Sequence, residues 1–310
     1  MKVVSACRRR LVAGVLMVWA GVLPACGSAQ VDAPVPVFDT GADTSRWAAI
    51  PAGEFLHGQH ETIASTDHAY EMMVFPVTQA EYAAYLNEAL PTGAVTLRQD
   101  GILGYYGGDQ FRGARHEQRV DAGDYLHMPL NVPAQRLQSN GKTFSVTPGW
   151  EMHPATMVTW FGARAYCAHY GWRLPTELEW EKGARGPLDG LESNRPFPWG
   201  GQIARSNANY YASRDPFENM RTYGSRTTPV GFYNGRQYGD YATRDSPSPY
   251  GLYDMAGNIW QWTGNVYPFE HYRYLRGGSK DTYEMDLRIW VRNSATPVYA
   301  SPGVGFRCAR

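Results

Sequence analysis

The stretch GWRLPTELEWE, residues 171–181, is the part of the sequence that decides the fold. Thr176 is followed three residues later by Glu179, which is the spacing of a capping box, and Pro175 stands directly before it. The pattern predicts a helix that begins at Thr176 and ends near Gly186. Capping and the helix dipole explain the glutamates of this first turn, so they are poor candidates for catalytic acids.

Further elements are predicted on both sides of this stretch. Thr78 and Glu81 form a second capping box, which predicts a helix to about Leu90. A third helix is predicted from about Thr159 to Tyr170. The strand candidates are Ile259–Thr263, Tyr274–Arg276 and Ile289–Asn293.

The composition indicates a loop-rich domain. Among 310 residues there are 33 Gly, 21 Pro, 21 Tyr and 10 Trp, while only 19% of residues are charged. Such a chain is expected to depend on turns and aromatic packing. Lys+Arg and Asp+Glu both number 29, and this balance argues against a general electrostatic grip on nucleic acid.

The N-terminus has the features of an export signal. A basic start precedes the apolar run Leu11–Leu23, which is too short to span a bilayer comfortably. Leu-Pro-Ala-Cys then ends at Cys26, as in a lipobox, so lipidation of Cys26 is predicted; cleavage after Ala29 is the alternative. Both interpretations predict a periplasmic or outer-membrane protein, with residues 1–26 as the signal, 27–46 as a linker and the membrane reached through the lipid anchor.

Two cysteines remain for the exported domain. Cys167 and Cys308 form an even pair in an oxidising compartment, which predicts a disulfide. Closing a loop of that length corresponds to about 4–5 kcal/mol of chain entropy, before any native strain is subtracted. Two buried free thiols are the alternative.

Motifs on both sides of residues 171–181 complete a recognisable order. They are IPAGEF at 50–55, FPVTQAEY at 75–82, HP at 153–154, VTW at 158–160, AYC at 165–167, PWG at 198–200, YGLYDMAGNIWQW at 250–262, LRGGS at 275–279 and GFRC at 305–308. Together they resemble the formylglycine-generating-enzyme, or sulfatase-modifying-factor, superfamily. The resemblance implies one α+β domain over residues 47–310, a C-type-lectin-like fold with little regular secondary structure. Residues 92–150 are interpreted as an insertion of loop character.

The resemblance fails at the copper ligands. Family members that generate formylglycine carry two cysteines after the Arg-Gly-Gly-Ser motif, and these bind Cu(I). Here the two positions are Thr282 and Leu287, so copper is not expected. The superfamily also contains ergothioneine sulfoxide synthases, but their histidine motif is not found here. Two further branches are a periplasmic pyoverdine chromophore-maturation enzyme and gliding-motility lipoproteins. Export and the missing thiols fit the last two branches.

The resemblance places a substrate groove around four residues, Trp260, Arg276, Ser279 and Arg288. Arginine can hold a carboxylate and tryptophan offers a flat wall. The alternative is that the Arg-Gly-Gly-Ser segment is purely structural, with its glycines allowing a tight backbone approach. The groove predicts either an enzyme that modifies a peptide-derived substrate, or a non-catalytic binding or scaffold lipoprotein of a gliding or secretion assembly.

The resemblance also implies a calcium loop. Its ligands would be Asp254, Gly257, Ile259 and Gln261, with oxygen ligands closely spaced in a tight turn. Gln261 stands where the family has glutamate, which removes a negative charge, and a plain structural turn is the alternative. A metal site at His57, His60 and His68 is considered as well, but a structural role is favoured for them.

Overall fold

A computed structural model describes residues 34–110, 119–188, 195–266 and 271–310. Cys26 and the predicted signal peptide lie outside the described residues. Within them, no helix has the length and apolar character needed to cross a membrane. The described α-helices are α1 Gln79–Thr92, α2 Trp160–His169 and α3 Glu177–Arg185.

The strands of the described residues are short, and none exceeds seven residues. They are β1 Trp47–Ile50, β2 Gly53–His57, β3 Thr62–Thr66, β4 Tyr70–Met73, β5 Val95–Arg98, β6 Gly101–Tyr106, β7 Gly123–Pro129, β8 Leu137–Ser139, β9 Phe144–Val146, β10 Glu218–Asn219, β11 Gly224–Ser225, β12 Gln237–Tyr238, β13 Tyr241–Ala242, β14 Trp260–Val266, β15 Arg273–Arg276, β16 Arg292–Ala295 and β17 Val304–Gly305. A 3₁₀ helix spans Glu284–Leu287. This confirms the predicted α+β fold with little regular secondary structure.

The sheets are small and the central one carries the sequence motifs. Its order is β16-β15-β14-β17, with β14 antiparallel to β15 and parallel to β17. Gln261 on β14 pairs with Arg276 on β15. A second sheet has the order β5-β6-β7, and the remaining described strands pair two by two. The motifs at residues 250–262 and 275–279 therefore lie side by side in one sheet.

Both predicted capping boxes are present. The Thr176 hydroxyl accepts a hydrogen bond from the Glu179 N–H (3.1 Å), and the Glu179 carboxylate accepts one from the Thr176 N–H (2.7 Å). Thr78 and Glu81 form the same pair of bonds at the start of α1. These bonds satisfy amide groups that have no partner within the helix, so local sequence fixes where α1 and α3 begin.

The main core packs α1 and α2 against the central sheet. Tyr82 of α1 stacks on Tyr166 of α2 at 5.8 Å between ring centroids, and Phe306 lies edge-on to both. Cys167 and Cys308 are joined by a disulfide, with their sulfurs 2.01 Å apart, as the sequence predicts. The bond ties the buried face of α2 to the chain just after β17.

Residues 92–150 differ from the loop expected of them. They contain β5 to β9, and β6 pairs with both of its neighbours in the three-stranded sheet. Gly104 lies within β6. The position requires glycine because a Cβ there would come within 2.2 Å of the His127 imidazole. Gly104 therefore indicates a close approach of the His127 side chain to the strand, and not a loop.

The predicted strand at residues 289–293 is displaced along the chain. The ladder with β15 begins only at Arg292, which pairs with Arg276. Ile289 lies outside it because its N–H donates to the Pro196 carbonyl and its carbonyl accepts from the Arg276 guanidinium. Tertiary bonds at Ile289 thus override the local strand pattern.

The packed domain begins before the predicted boundary at Trp47. Phe38 contacts a cluster of aromatic rings, with centroid distances of 5.4 Å to Tyr238 and 5.9 Å to Phe217. Thr40 is buried and its hydroxyl donates to the Val230 carbonyl at 3.0 Å. The described part of the predicted linker, residues 34–46, therefore belongs to the domain surface rather than to a free tether.

Candidate functional site

The Arg-Gly-Gly-Ser motif forms a tight turn after β15. Gly277 and Gly278 have φ of 98° and 70°, and a Cβ on Gly278 would come within 2.7 Å of the Leu287 side chain. The Ser279 N–H donates to the Thr282 hydroxyl at 2.9 Å, and that hydroxyl donates to the Ser279 carbonyl at 3.0 Å. The turn is therefore locked by Thr282.

The two positions of the family's copper cysteines have different roles here. Thr282 closes the turn, as described, and Leu287 is fully buried. Leu287 belongs to a small apolar cluster with Phe197, Ala208 and Ala256. Neither side chain can supply a thiolate, and both have packing or hydrogen-bonding roles that explain their identity.

Two of the predicted groove residues lie together. Ser279 and Trp260 are both buried, with exposed fractions of 2% and 7%. Gly303 connects them, because its carbonyl accepts from the Trp260 N–H at 2.8 Å and a Cβ on it would lie 3.3 Å from the Ser279 hydroxyl. Close packing around Gly303 thus holds Ser279 beside Trp260.

Arg276 lies in the core instead of a groove. Its side chain is fully buried and donates to Glu177 and Glu181, each at 2.6 Å. It also donates to the Ile289 carbonyl at 2.6 Å. Although burial opposes ionisation, Arg276 and the Gly58 N–H hold the pKa of Glu181 below its usual value. Arg276 is therefore a structural residue that links α3 to β15.

Arg288 lies apart from Ser279 and Trp260. It is exposed and lines a separate cavity with Gln59, His60 and Trp290. The structure therefore brings together two of the four predicted groove residues, Trp260 and Ser279, and separates Arg276 and Arg288 from them.

A cavity of about 450 Å³ adjoins the Arg-Gly-Gly-Ser turn, and it is called here the Arg226 cavity. Lys280 and Asp281, which follow Ser279 directly, form part of its wall. Its full lining is Pro133, Ala134, Arg136, Trp150, Thr156, Tyr223, Gly224, Ser225, Arg226, Thr227, Lys280, Asp281 and Pro302.

Two arginines and an indole dominate this cavity. The guanidinium carbons of Arg136 and Arg226 lie 4.4 Å and 5.8 Å from the Trp150 ring centroid. Arg226 also lies 3.7 Å above the Tyr223 ring, and only 6% of Arg226 is exposed. Cation–π contacts therefore orient both guanidiniums toward one shared space.

The charges in the Arg226 cavity are unbalanced. Lys280 is neutralised by Asp281, with its ammonium 2.6 Å from a carboxylate oxygen. Among the described residues, neither Arg136 nor Arg226 forms an ion pair with a carboxylate. Burial, followed by repulsion from Arg226, lowers the pKa of Arg136.

His153 lies behind Trp150 and reports the same positive field. It is fully buried, and its ring centroid is 4.6 Å from that of Trp150. Burial lowers the pKa of His153 to about 3, and the charges of Arg136 and Arg226 contribute to the decrease. His153 is therefore neutral near pH 7.

No sequence motif marks Arg136, Trp150 and Arg226 as site residues. Arg136 and Trp150 lie in the segment interpreted as a loop insertion, and Arg226 follows the short strand β11. No motif joins them, since 90 positions separate Arg136 from Arg226. The absence of a carboxylate partner becomes visible only in three dimensions.

The predicted calcium loop has a different set of contacts. The Gln261 side-chain oxygen accepts from the Trp180 indole at 3.0 Å and from Arg307 at 2.8 Å. The Gln261 side-chain nitrogen donates to the Asp254 carbonyl at 2.7 Å. Arg307 is fully buried and also donates to the Tyr253 and Asp254 carbonyls.

Two of the four predicted calcium ligands, Asp254 and Gln261, already have protein partners. A guanidinium already supplies positive charge to the carbonyls of the turn, and the amide oxygen of Gln261 has two donors. The Asp254 carboxylate accepts from the Gly231 N–H at 2.7 Å, and burial raises its pKa. The arrangement corresponds to the alternative interpretation, a structural turn.

A second possible metal cluster is also satisfied by protein groups. His57, Glu177 and Glu181 each place one ligand atom within 4.8 Å of the others. The two carboxylates already bind Arg276, and Arg185 donates to Glu181 at 3.2 Å. With these guanidiniums in place, the cluster is an ion-pair network.

A larger cavity, of about 550 Å³, is lined by residues of the fold-deciding stretch. Arg173 and His68 both contact Glu179 there, at 2.6 Å and 3.0 Å. Arg164 also lines this cavity, but it is exposed to solvent. The one buried charge among these residues, the Glu179 carboxylate, is therefore matched, in contrast to the charge of Arg226.

Comparison with known proteins identifies the family. Residues 36–310 match the sulfatase-modifying factor enzyme 1-like domain, so the chain belongs to that family. It is 34% identical over 305 residues to the formylglycine-generating enzyme of Bos taurus, covering 86% of this chain and 74% of that protein. It is 30% identical over 278 residues to the inactive C-alpha-formylglycine-generating enzyme 2 of Mus musculus, covering 84% of both.

Two further similarities are informative about the fold but not about the activity. The chain is 27% identical over 286 residues to the serine/threonine-protein kinase pkn1 of Chlamydia caviae; the match takes in 84% of this chain and only 37% of that relative. The structure of PvdO from Pseudomonas aeruginosa is similar with a TM-score of 0.51 and 22% identity, covering 85% of this chain and 93% of the other. The structural likeness shows the shared fold.

Proposed function

We propose that this protein is an exported modifying enzyme that acts on a peptide-derived substrate bound in the Arg226 cavity. The observation that carries the proposal is the position of this cavity. It adjoins Ser279 of the Arg-Gly-Gly-Ser turn, where the family resemblance places substrate. Aromatic and cationic side chains form a wall that suits a planar or acidic peptide group.

Thr282 and Leu287 exclude a thiolate at the two cysteine positions, so the proposed chemistry differs from formylglycine generation. Ser279 directly precedes Lys280 and Asp281, which form part of the cavity wall. Its hydroxyl accepts a hydrogen bond from the Asp281 N–H at 3.3 Å. We assign Ser279 a role in positioning this wall.

A non-catalytic binding or scaffold role in an envelope assembly is the second candidate. The replacement of both cysteines favours it, and a relative that covers most of the chain is named as an inactive enzyme. In this case the Arg226 cavity would hold its ligand without changing it.

Mass spectrometry separates the two functions. The full chain is incubated in air with a defined library of short peptides that contain tyrosine, cysteine or acidic residues. The enzyme proposal expects a mass change that needs the protein and is reduced in Ser279→Ala. Binding of peptides without any mass change supports the scaffold role and contradicts the enzyme.

We also propose that the protein is anchored to a membrane through Cys26. Expressed in a bacterium fed with labelled palmitate, the wild-type chain should carry the label and sediment with membranes. Cys26→Ala should lose both properties. A soluble, unlabelled wild-type protein that begins at residue 30 would show cleavage after Ala29 instead.

A further inference from the structure

Among the described residues, neither arginine of the Arg226 cavity has an anionic partner. Arg226 is 6% exposed, yet the one acceptor that its side chain has in the described part of the chain is the Pro34 carbonyl, at 3.3 Å. Arg136 donates to the carbonyls of Pro133 and Gln135. Removing a cation from water is unfavourable unless an anion or enough hydrogen-bond acceptors compensate it.

Other features of the cavity also indicate a missing acceptor. The Ser225 hydroxyl, which belongs to the lining, is buried and has no hydrogen-bond partner among the described residues. The acidic side chain of the lining, Asp281, is bound to Lys280 by both of its carboxylate oxygens. The cavity therefore presents the uncompensated positive charges of Arg136 and Arg226 to its contents.

We propose that Arg136 and Arg226 form a recognition site for the carboxylate of a peptide-derived ligand, with Trp150 as the adjoining flat wall. This inference rests on the proposed function, because it names the chemical class of the substrate at the same cavity. Guanidinium forks match the geometry of a carboxylate and can bind both of its oxygens. The aromatic stacking of the two arginines orients them before the ligand arrives.

The specificity expected from this site follows from its charges. A neutral amide in place of the carboxylate would leave the buried Arg226 and the half-buried Arg136 without a counter-charge, so it should bind poorly. Because arginine stays protonated over the accessible pH range, binding should persist from neutral to alkaline pH. Inorganic phosphate shares the oxyanion chemistry but lacks a planar group for Trp150, and it should bind more weakly than the peptide.

Calorimetric titration of the full chain tests the site with three probes: acetyl-Tyr-Glu-amide, acetyl-Tyr-Gln-amide and inorganic phosphate. We expect the glutamate peptide to bind at least about tenfold more tightly than the glutamine peptide. Arg226→Gln and Arg136→Gln should each remove most of that preference, and Arg226→Lys should restore part of it. Arg164→Gln is the matched control, since Arg164 also lies over an aromatic ring, 5.0 Å from Tyr106, but lines the other cavity.

The outcomes distinguish this inference from the proposed function. Equal binding of the two peptides, or phosphate binding more tightly than the glutamate peptide, overturns carboxylate recognition even if the protein modifies other peptides. A preference that survives in both Arg226→Gln and Arg136→Gln overturns the assigned residues. A carboxylate preference without any mass change of the peptide supports this site while contradicting the enzyme.

Discussion

The molecule contains two kinds of buried arginine. Arg276 lies between β15 and α3 with two carboxylates at 2.6 Å, and its charge is matched within the protein. Arg226 lies at the wall of a cavity, stacked on Tyr223, with no carboxylate partner among the described residues. The sequence motif highlighted Arg276, but the structure makes Arg226 the candidate for ligand binding.

The difference shows that the presence or absence of a counter-charge distinguishes a structural arginine from a candidate binding arginine. A guanidinium that satisfies its neighbours stabilises the fold, and removing it leaves those neighbours unpaired. A buried guanidinium that lacks a counter-charge does not stabilise the unliganded fold and is available for an anion. Two of the expected effects come from replacing one of these arginines, and two come from a buried group beside one of them.

The largest effect is expected from Arg276→Gln. The change leaves Glu177 and Glu181 buried without their main cation, which should lower the free energy of unfolding by about 3–5 kcal/mol. Urea unfolding of the purified variant measures this loss. Stability within about 1 kcal/mol of the wild type would show that Arg276 is not structural.

An intermediate effect is expected from His153→Gln, and it depends on pH. The pKa of His153 in the folded protein is about 3, below its usual value, so only the unfolded chain binds this proton as pH falls below about 6.5. Stability is therefore present above pH 6.5 and lost on acidification toward pH 3.

Between pH 7 and pH 5 the wild type should lose about 2 kcal/mol more than His153→Gln. Urea unfolding at the two pH values measures the difference. His127 serves as the comparison, because burial lowers its pKa to about 4 without a contribution from the arginines. Identical pH dependence in wild type and His153→Gln would contradict the assigned environment.

A small effect of the opposite sign is expected from Arg226→Met. Methionine keeps an apolar side chain against Tyr223 while removing an uncompensated charge and its repulsion of Arg136. The free energy of unfolding should stay the same or rise by up to about 1 kcal/mol. A loss greater than this would mean that Arg226 has a structural partner, and the contrast with Arg276 would disappear.

The smallest effect is expected from calcium. Because Arg307 and Trp180 already donate to the Gln261 amide oxygen, the thermal midpoint should be the same in calcium and in chelator. Gln261→Glu is the informative variant, since it restores the family's carboxylate. A thermal midpoint that rises with calcium in the wild type would show that the turn binds a metal ion.

Local signals in the sequence determined the helix starts, the disulfide partners and the family motifs. Thr78 and Thr176 cap their helices through neighbours three residues away, and such short-range bonds can be predicted from spacing alone. Cys167 and Cys308 could be paired by elimination and compartment. The fold class followed from the order of the motifs.

Only the tertiary structure decided which charged residues are satisfied. The strand at Arg292, the sheet within residues 92–150 and the Arg226 cavity all depend on contacts between distant parts of the chain. Arg276 and Arg226 are the same residue type, and both are buried in the folded protein. Their roles differ because two carboxylates reach one of them and an open cavity adjoins the other, and sequence spacing contains neither fact.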